Sequence, residues 1–347
     1  MSMQTKMWIP ENPSDPKDAS IQEAARLLNH QEVVAFPTET VYGLGADATN
    51  EKAVSGIFEA KGRPSDNPLI VHVSNREQVD LMVNHIPDVA YSLMEAFWPG
   101  PLTLIMESNG AAASNVTAGL STIGIRMPNH PLALALLEAT GKPLAAPSAN
   151  RSGRPSPTKA DHVKQDLDGR VAGILDGGTT GVGLESTVLD CTSDVPVILR
   201  PGGITKEQLE EVLPHVAIDP ALAGSESDKP KSPGMKYTHY APESPLWLVE
   251  GEDDFFIEQL EQLKRDGQRV GVIASHELAG KLDHAPVIRC GSRDQLSEVA
   301  VKLYDALREF KRSEVDIILT EAFSEKGVGA AVMNRLRKAA VQVVSED

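Results

Sequence analysis

Short apolar runs alternate with stretches of helical periodicity along nearly the whole chain, and this alternation restricts the fold more than any other feature. Residues 21–29 carry Ile21, Ala24, Ala25, Leu27 and Leu28 at helical spacing, with Ser20 in place as an N-cap. Residues 32–37 (EVVAFP) then read as a short strand ended by a proline. Further strands are expected at residues 69–73 (LIVHV), 102–106, 122–127 and 143–146, with a helix over 131–139 stopped by Gly141. Strands interleaved with helices call for a layered α/β fold.

Residues 219–245 break the rhythm with Pro220, Pro230, Pro233, Pro242 and Pro245 among glycine and serines, which places a domain boundary there. Within it, residues 232–242 (SPGMKYTHYAP) hold Lys236, Tyr237, His239 and Tyr240, more than a spacer requires. A lid and a stretch that packs on its neighbours both remain open. Beyond the boundary, strands at 246–249, 269–274, 287–290 and 315–319 alternate with helices over 253–266, 277–282, 294–311 and 328–340. That order implies a smaller Rossmann-like parallel sheet, although no GxGxxG follows a strand to support dinucleotide binding. The expected domains are residues 14–215, a linker at 216–245, and residues 246–347.

Composition narrows the function. The net charge is −16 over 347 residues, and both halves are acidic, against the basic balance of an electrostatic nucleic-acid binder. Two cysteines, Cys191 and Cys290, build neither a disulfide framework nor a zinc knuckle. The opening MSMQTKMWIPENP shows no basic flank followed by an apolar stretch, and no apolar run spans a bilayer, so a cytoplasmic setting is expected.

GxxxxGK[ST], GxSxG, HExxH and DxDxDG are all absent, so any chemistry uses another constellation. In 61–64 (KGRP) the proline favours extended backbone before it, and extended backbone would turn Lys61 and Arg63 to one side. In 146–150 (APSAN) the same reasoning pairs Ser148 with Asn150. Two cations, a hydroxyl and a carboxamide suit phosphate oxygens if the segments converge. Thr38 and Thr40 follow a strand end, and Thr122 and Arg126 share a strand face, where Arg126 suits a carboxylate or an internal ion pair. The glycine-rich 176–183 fits an anion-binding loop and a hairpin equally well.

KGRPSDNPLIVHV with APSAN resembles the paired motif of YrdC-type domains, and the chain over residues 14–340 resembles the long-form threonylcarbamoyl-AMP synthase family. FPTETVYGLG, STIGIRMP, SANRSGRPSPT, LRPGGIT, SPGMKYTHYAP and GAAVMNRLRKAA fit it in order. The resemblance implies a YrdC-like twisted mixed sheet with helices, followed by the smaller Rossmann-like domain. It implies that L-threonine, bicarbonate and ATP give threonylcarbamoyl-AMP and diphosphate. The product would go to a tRNA threonylcarbamoyl transferase acting on the adenosine beside the anticodon, with direct tRNA binding weak or absent and no membrane involved. It assigns ATP contacts to Lys61, Ser65, Asn67, Thr122, Ser148, Asn150, Ser156, Arg200 and Tyr240. Threonine contacts fall to Thr38, His72, Arg126, Ala146 and Ser186, and Arg63 sits near the phosphates as catalytic partner of Lys61. Mg2+ would accompany ATP; Glu39 and Glu185 are conceivable ligands for it, and neither is assigned. The competing readings are an RNA-binding module without synthase activity, and ATP-dependent carbamoyl transfer to another acceptor.

Overall fold

The computed structural model describes residues 4–223, 239–282 and 286–346. They form two units, one from residues 4–152 and 156–223, the other from residues 153–155, 239–282 and 286–346. The fold class is the expected one, α/β in both units.

The first unit holds a mixed sheet. Its strands are β1 (Lys6–Trp8), β2 (Val34–Phe36), β3 (Gly43–Asp47), β4 (Ile70–His72), β5 (Leu102–Glu107), β6 (Thr122–Arg126), β7 (Leu144–Ala145), β8 (Gly173–Leu175), β9 (Thr187–Asp190), β10 (Val197–Arg200) and β11 (Ala217–Ile218). They lie in the order β1-β8-β2-β3-β7-β4-β6-β5-β9-β10-β11. Each residue of β2 is buried, but alternate side chains leave in opposite directions. Val34 and Phe36 join Ile21 and Leu28 of helix α1 (Ala19–Asn29) and Leu132 and Leu136 of helix Pro131–Thr140. Ala35 joins the opposite core with Leu44, Ile57, Leu104 and Ile125. Both faces are covered, which is why EVVAFP shows no polar alternation.

Three local expectations need correction. Helix α1 is capped by Asp18, whose carboxylate accepts the N–H groups of Ser20 and Ile21, so Ser20 already lies inside the first turn. Lys61 is not extended: it ends helix α2 (Glu51–Lys61), and Gly62 closes that helix at φ 62°. The Arg63 N–H reaches back to the Phe58 carbonyl at 3.0 Å, a six-to-one closure that glycine's left-handed backbone allows. The proline rule governs Arg63 but does not extend to Lys61. Finally, residues 176–183 are no hairpin, because β8 and β9 on either side of them are separated by six strands of the sheet. Tyr42 pins this crossing loop, its hydroxyl donating to the Gly178 carbonyl at 2.8 Å and accepting the Gly177 N–H at 3.2 Å.

The second unit is a parallel sheet of β12 (Leu246–Glu250), β13 (Val270–Ala274), β14 (Val287–Arg289), β15 (Ile317–Glu321) and β16 (Gln342–Ser345), ordered β14-β13-β15-β12-β16. Helices Asp253–Arg265, His276–Ala279, Leu296–Glu309 and Gly329–Ala339 connect successive strands, as the pattern implied. Among the described residues no helix is long and apolar enough to cross a membrane.

Candidate active site

The two polar segments meet at the end of α2. Lys61, only 3% exposed, sends its ammonium to the carbonyls of Ser148 at 2.5 Å and Asn150 at 2.7 Å, with Asn150 Oδ1 at 3.4 Å. KGRP and PSAN are therefore neighbours across more than eighty residues of sequence. Ser148 and Asn150 do share a side, the Ser148 hydroxyl donating to Asn150 Oδ1 at 2.6 Å. Burial of Lys61 was not foreseen. Its ammonium is embedded in carbonyl oxygens, which lets a positive charge sit where water is excluded.

Asn67 follows in the same segment and is fully buried. Among the described residues neither end of its carboxamide has a hydrogen-bond partner, an expensive state that a ligand's donor and acceptor would relieve. Arg63 is half-buried and Ser65 exposed beside it. Thr122 opens β6, half-buried, four residues before Arg126 on the same strand.

Arg126 ends β6 at 2% exposure and is bound by the segment that follows β2. That segment bends instead of continuing extended, so Thr38, Glu39 and Thr40 all contribute. Arg126 Nη1 donates to Thr40 Oγ1 and Nη2 to Glu39 Oε2, each at 3.0 Å. Because a guanidinium only donates, the remaining directions follow. The Thr40 hydroxyl is free to donate to Thr38 Oγ1 at 2.8 Å, and the Thr38 hydroxyl donates to the Val41 carbonyl at 2.7 Å. Sequence reasoning found Thr38 and Arg126 but missed Thr40 and Glu39 as partners of Arg126. A bend after β2, which no periodicity announces, is what brings Glu39 to Arg126.

His72 lies opposite Arg126 in the β4–β6 register and is 4% exposed. Burial, and then the Arg126 charge, hold its imidazole well below the ordinary histidine value, so it is neutral. Among the described residues its Nδ1 has no partner. The folded state resists protonation that the unfolded chain accepts, so this histidine contributes stability above its ordinary value of 6.5. We expect stability to fall as pH drops below that value, with a slope approaching about 1.4 kcal/mol per pH unit for one proton. Denaturant midpoints measured across acid pH for the protein and for His72→Gln check this: the variant should have the shallower slope.

On β9 and β10 a second guanidinium is held as firmly. Arg200, 5% exposed, donates through Nε and Nη2 to the Ser186 carbonyl at 3.1 and 3.0 Å, and through Nη2 to Ser186 Oγ at 3.2 Å. Ser186 Oγ also lies 2.8 Å from Thr103 Oγ1, a partner that the sequence gave no signal to find. Gly202 backs this turn: a β-carbon there would strike the backbone of Glu185, Ser186 and Thr187, so no side chain fits. Ser156 donates to Glu185 Oε1 at 2.5 Å, both buried. Ala146 is buried, with its N–H on the Ile70 carbonyl at 2.9 Å.

Tyr240 belongs to the second unit. Of the segment that was read as a possible lid, 232–238 lie outside the described residues. Tyr240 itself is buried, stacked on Tyr304 with centroids 5.3 Å apart, and the Arg335 guanidinium lies 5.8 Å from its ring. Its φ of 63° is unusual for a bulky residue. The stacking helps to hold it there.

The described residues contain no group of three histidine, cysteine or acidic side chains arranged for a metal ion. Glu39 and Glu185 already accept from Arg126 and Ser156. The donor set does not fit a protein-held magnesium.

Comparison with known proteins gives a consistent result. A family model described as telomere recombination matches residues 26–202, and one described as threonylcarbamoyl-AMP synthase, C-terminal domain, matches residues 204–341. The threonylcarbamoyl-AMP synthase of Bacillus subtilis is 55% identical over 341 residues, 97% of this chain and 98% of its own. That of Pyrococcus abyssi is 49% identical, covering 92% of this chain and 93% of its own. The crystal structure of P. abyssi Sua5 complexed with L-threonine superposes with a TM-score of 0.92 at 45% identity, covering 99% of this chain and 100% of that one.

Proposed function

The chain belongs to the threonylcarbamoyl-AMP synthase family, and from that premise we propose how its own side chains carry the reaction. It is an ATP-dependent enzyme of the transferase class that converts L-threonine, bicarbonate and ATP to threonylcarbamoyl-AMP and diphosphate. In our reading the threonine amine and bicarbonate first give an N-carboxylate and water. A carboxylate oxygen then bonds to the α-phosphorus of ATP as the bond to the β-phosphate oxygen breaks, and diphosphate leaves.

An anion attacking a polyanion needs fixed positive charge more than it needs acid–base groups. Lys61, Arg63 and Arg200 supply it here, while Asn67, Ser148, Asn150, Thr122, Ser65 and Ser156 provide neutral partners for the nucleotide. Arg126 receives the amino acid's carboxylate, and Thr38, His72, Ser186 and the Ala146 backbone surround the rest of it. A neutral His72 adds no competing cation beside Arg126. Magnesium enters with the triphosphate as part of the substrate, and no step is assigned to it. The product, being labile, passes on to a tRNA threonylcarbamoyl transferase.

One observation carries the assignment: the Lys61 ammonium joins two distant polar segments into one cationic recess. Incubation with ATP, bicarbonate and each candidate amino acid tests it. Diphosphate should appear with threonine, and should fail to appear when bicarbonate is withheld. Salt-dependent RNA affinity without diphosphate release would favour the RNA-binding alternative instead.

A further inference from the structure

The ion pair at the amino-acid end of the site is only half closed. Arg126 uses Nη1 on Thr40 and Nη2 on Glu39 Oε2, and among the described residues its Nε has no partner. The same holds for the other oxygen of its partner carboxylate, Glu39 Oε1. Both atoms are shielded from solvent. A structural arginine–carboxylate pair closes both sides at once, because two parallel N–H···O bonds fit the two groups. Here the pair is offset, and each member keeps one buried charged atom unmatched. Such atoms are costly in a folded protein and call for an explanation.

The two unmatched atoms have opposite signs. One is a cationic N–H that suits a carboxylate, the other an anionic oxygen that suits an ammonium. Their spacing is fixed because they belong to the two halves of one ion pair. That is the complement of a zwitterion. The neighbouring groups do not offer the same match. The Thr38 hydroxyl is committed to the Val41 carbonyl, Thr40 Oγ1 accepts from Arg126, and His72 carries no charge. Of Thr38, Thr40, His72 and Glu39, Glu39 alone is anionic.

We propose that Glu39 is a specificity-determining residue that receives the α-ammonium of the substrate through Oε1 while Arg126 receives the α-carboxylate through Nε. The site thereby selects an α-amino acid over a carboxylic acid of similar shape that lacks the amine. This rests on the synthase reading and deepens it, since that reading leaves the ammonium without an anionic partner. Carboxylation removes the ammonium charge, so the contact is strongest before chemistry begins. Its loss should therefore appear in the KM for threonine far more than in kcat.

Glu39→Gln keeps the shape and still accepts from Arg126 through its amide oxygen, but removes the anion. The probes are L-threonine as substrate and (R)-3-hydroxybutyrate, its deaminated counterpart, as an inhibitor of diphosphate release. In Glu39→Gln we expect the threonine KM to rise about 30- to 100-fold, with kcat and the ATP KM within about 3-fold of the parent. The inhibition constant of 3-hydroxybutyrate should stay within about 3-fold, so that discrimination between the two ligands collapses. Glu39→Asp, which retains the charge, should recover most of the threonine affinity. Equal losses for both ligands would overturn the proposal, since Glu39 would then act only by holding Arg126. An unchanged threonine KM, or no recovery in Glu39→Asp, would overturn it too. A parent protein that releases no diphosphate with threonine would instead remove the synthase reading beneath it.

Discussion

Lys61→Met should lower turnover by about 100-fold or more and also cost about 2–4 kcal/mol of folding stability. The first effect follows from chemistry, the second from burial. An ammonium has three N–H groups, and Lys61 places three acceptors around them, the Ser148 and Asn150 carbonyls and Asn150 Oδ1. The charge thus acts on the triphosphate mainly through its field in a water-poor recess, while the N–H groups hold the recess together. Removing it takes this donor from the buried Asn150 carbonyl and the part-buried Ser148 carbonyl and loosens PSAN from α2. Burial couples the two effects, because the same ammonium that carries the charge also ties PSAN to the end of α2. Lys61→Arg should not rescue activity, because a planar fork cannot take three convergent carbonyl-type acceptors in the space of a compact ammonium. Diphosphate release per folded molecule, measured alongside the denaturant midpoint, separates the two effects. Full turnover in folded Lys61→Met would end its catalytic assignment.

The contrast between Lys61 and Ser148 shows what a sequence of this kind reveals. Motif spacing found Ser148 and Asn150 because a strand end continues locally extended, and Ser148 bonds Asn150 as alternation requires. The same rule failed at Lys61, where a helix closed by Gly62 wins over the extended preference set by Pro64. Strands buried on both faces, such as β2, were legible from apolar runs. β3 (GLGAD) was not, since its residue types have low strand propensity and it forms because β2 and β7 pair with it. β16 was passed over for another reason: it is an edge strand, mostly exposed, without an apolar run to announce it. Glu39 escaped because its partner lies 87 residues away and a bend, not a periodicity, turns it inward. Local chemistry could be read from the sequence. Pairing across the sheet could not.

Arg126→Met should be the most damaging single change at the site, costing about 3–5 kcal/mol of stability and reducing threonine-dependent diphosphate release below detection. Arg126 is buried, the Glu39 side chain that it binds at 3.0 Å is only 11% exposed, and the other carboxylate oxygen, Oε1, is shielded from solvent. Deleting the cation strands the anion in a place with little water, which is the expensive way to break a buried pair. The double change Arg126→Met with Glu39→Gln removes the stranded charge and should recover a substantial part of the stability. It should recover none of the activity, because the amino acid has then lost both of its charged partners. The same substitution relieves His72 of the second cause of its depressed proton affinity. The acid-side fall in stability should accordingly be shallower in Arg126→Met than in the parent. Nucleotide affinity should survive in the double variant, since Lys61, Arg200 and PSAN are untouched. If the double variant remained as unstable as Arg126→Met alone, the ion pair would not be the source of the loss. If it regained threonine-dependent turnover, Arg126 would not be the residue that holds the substrate's carboxylate.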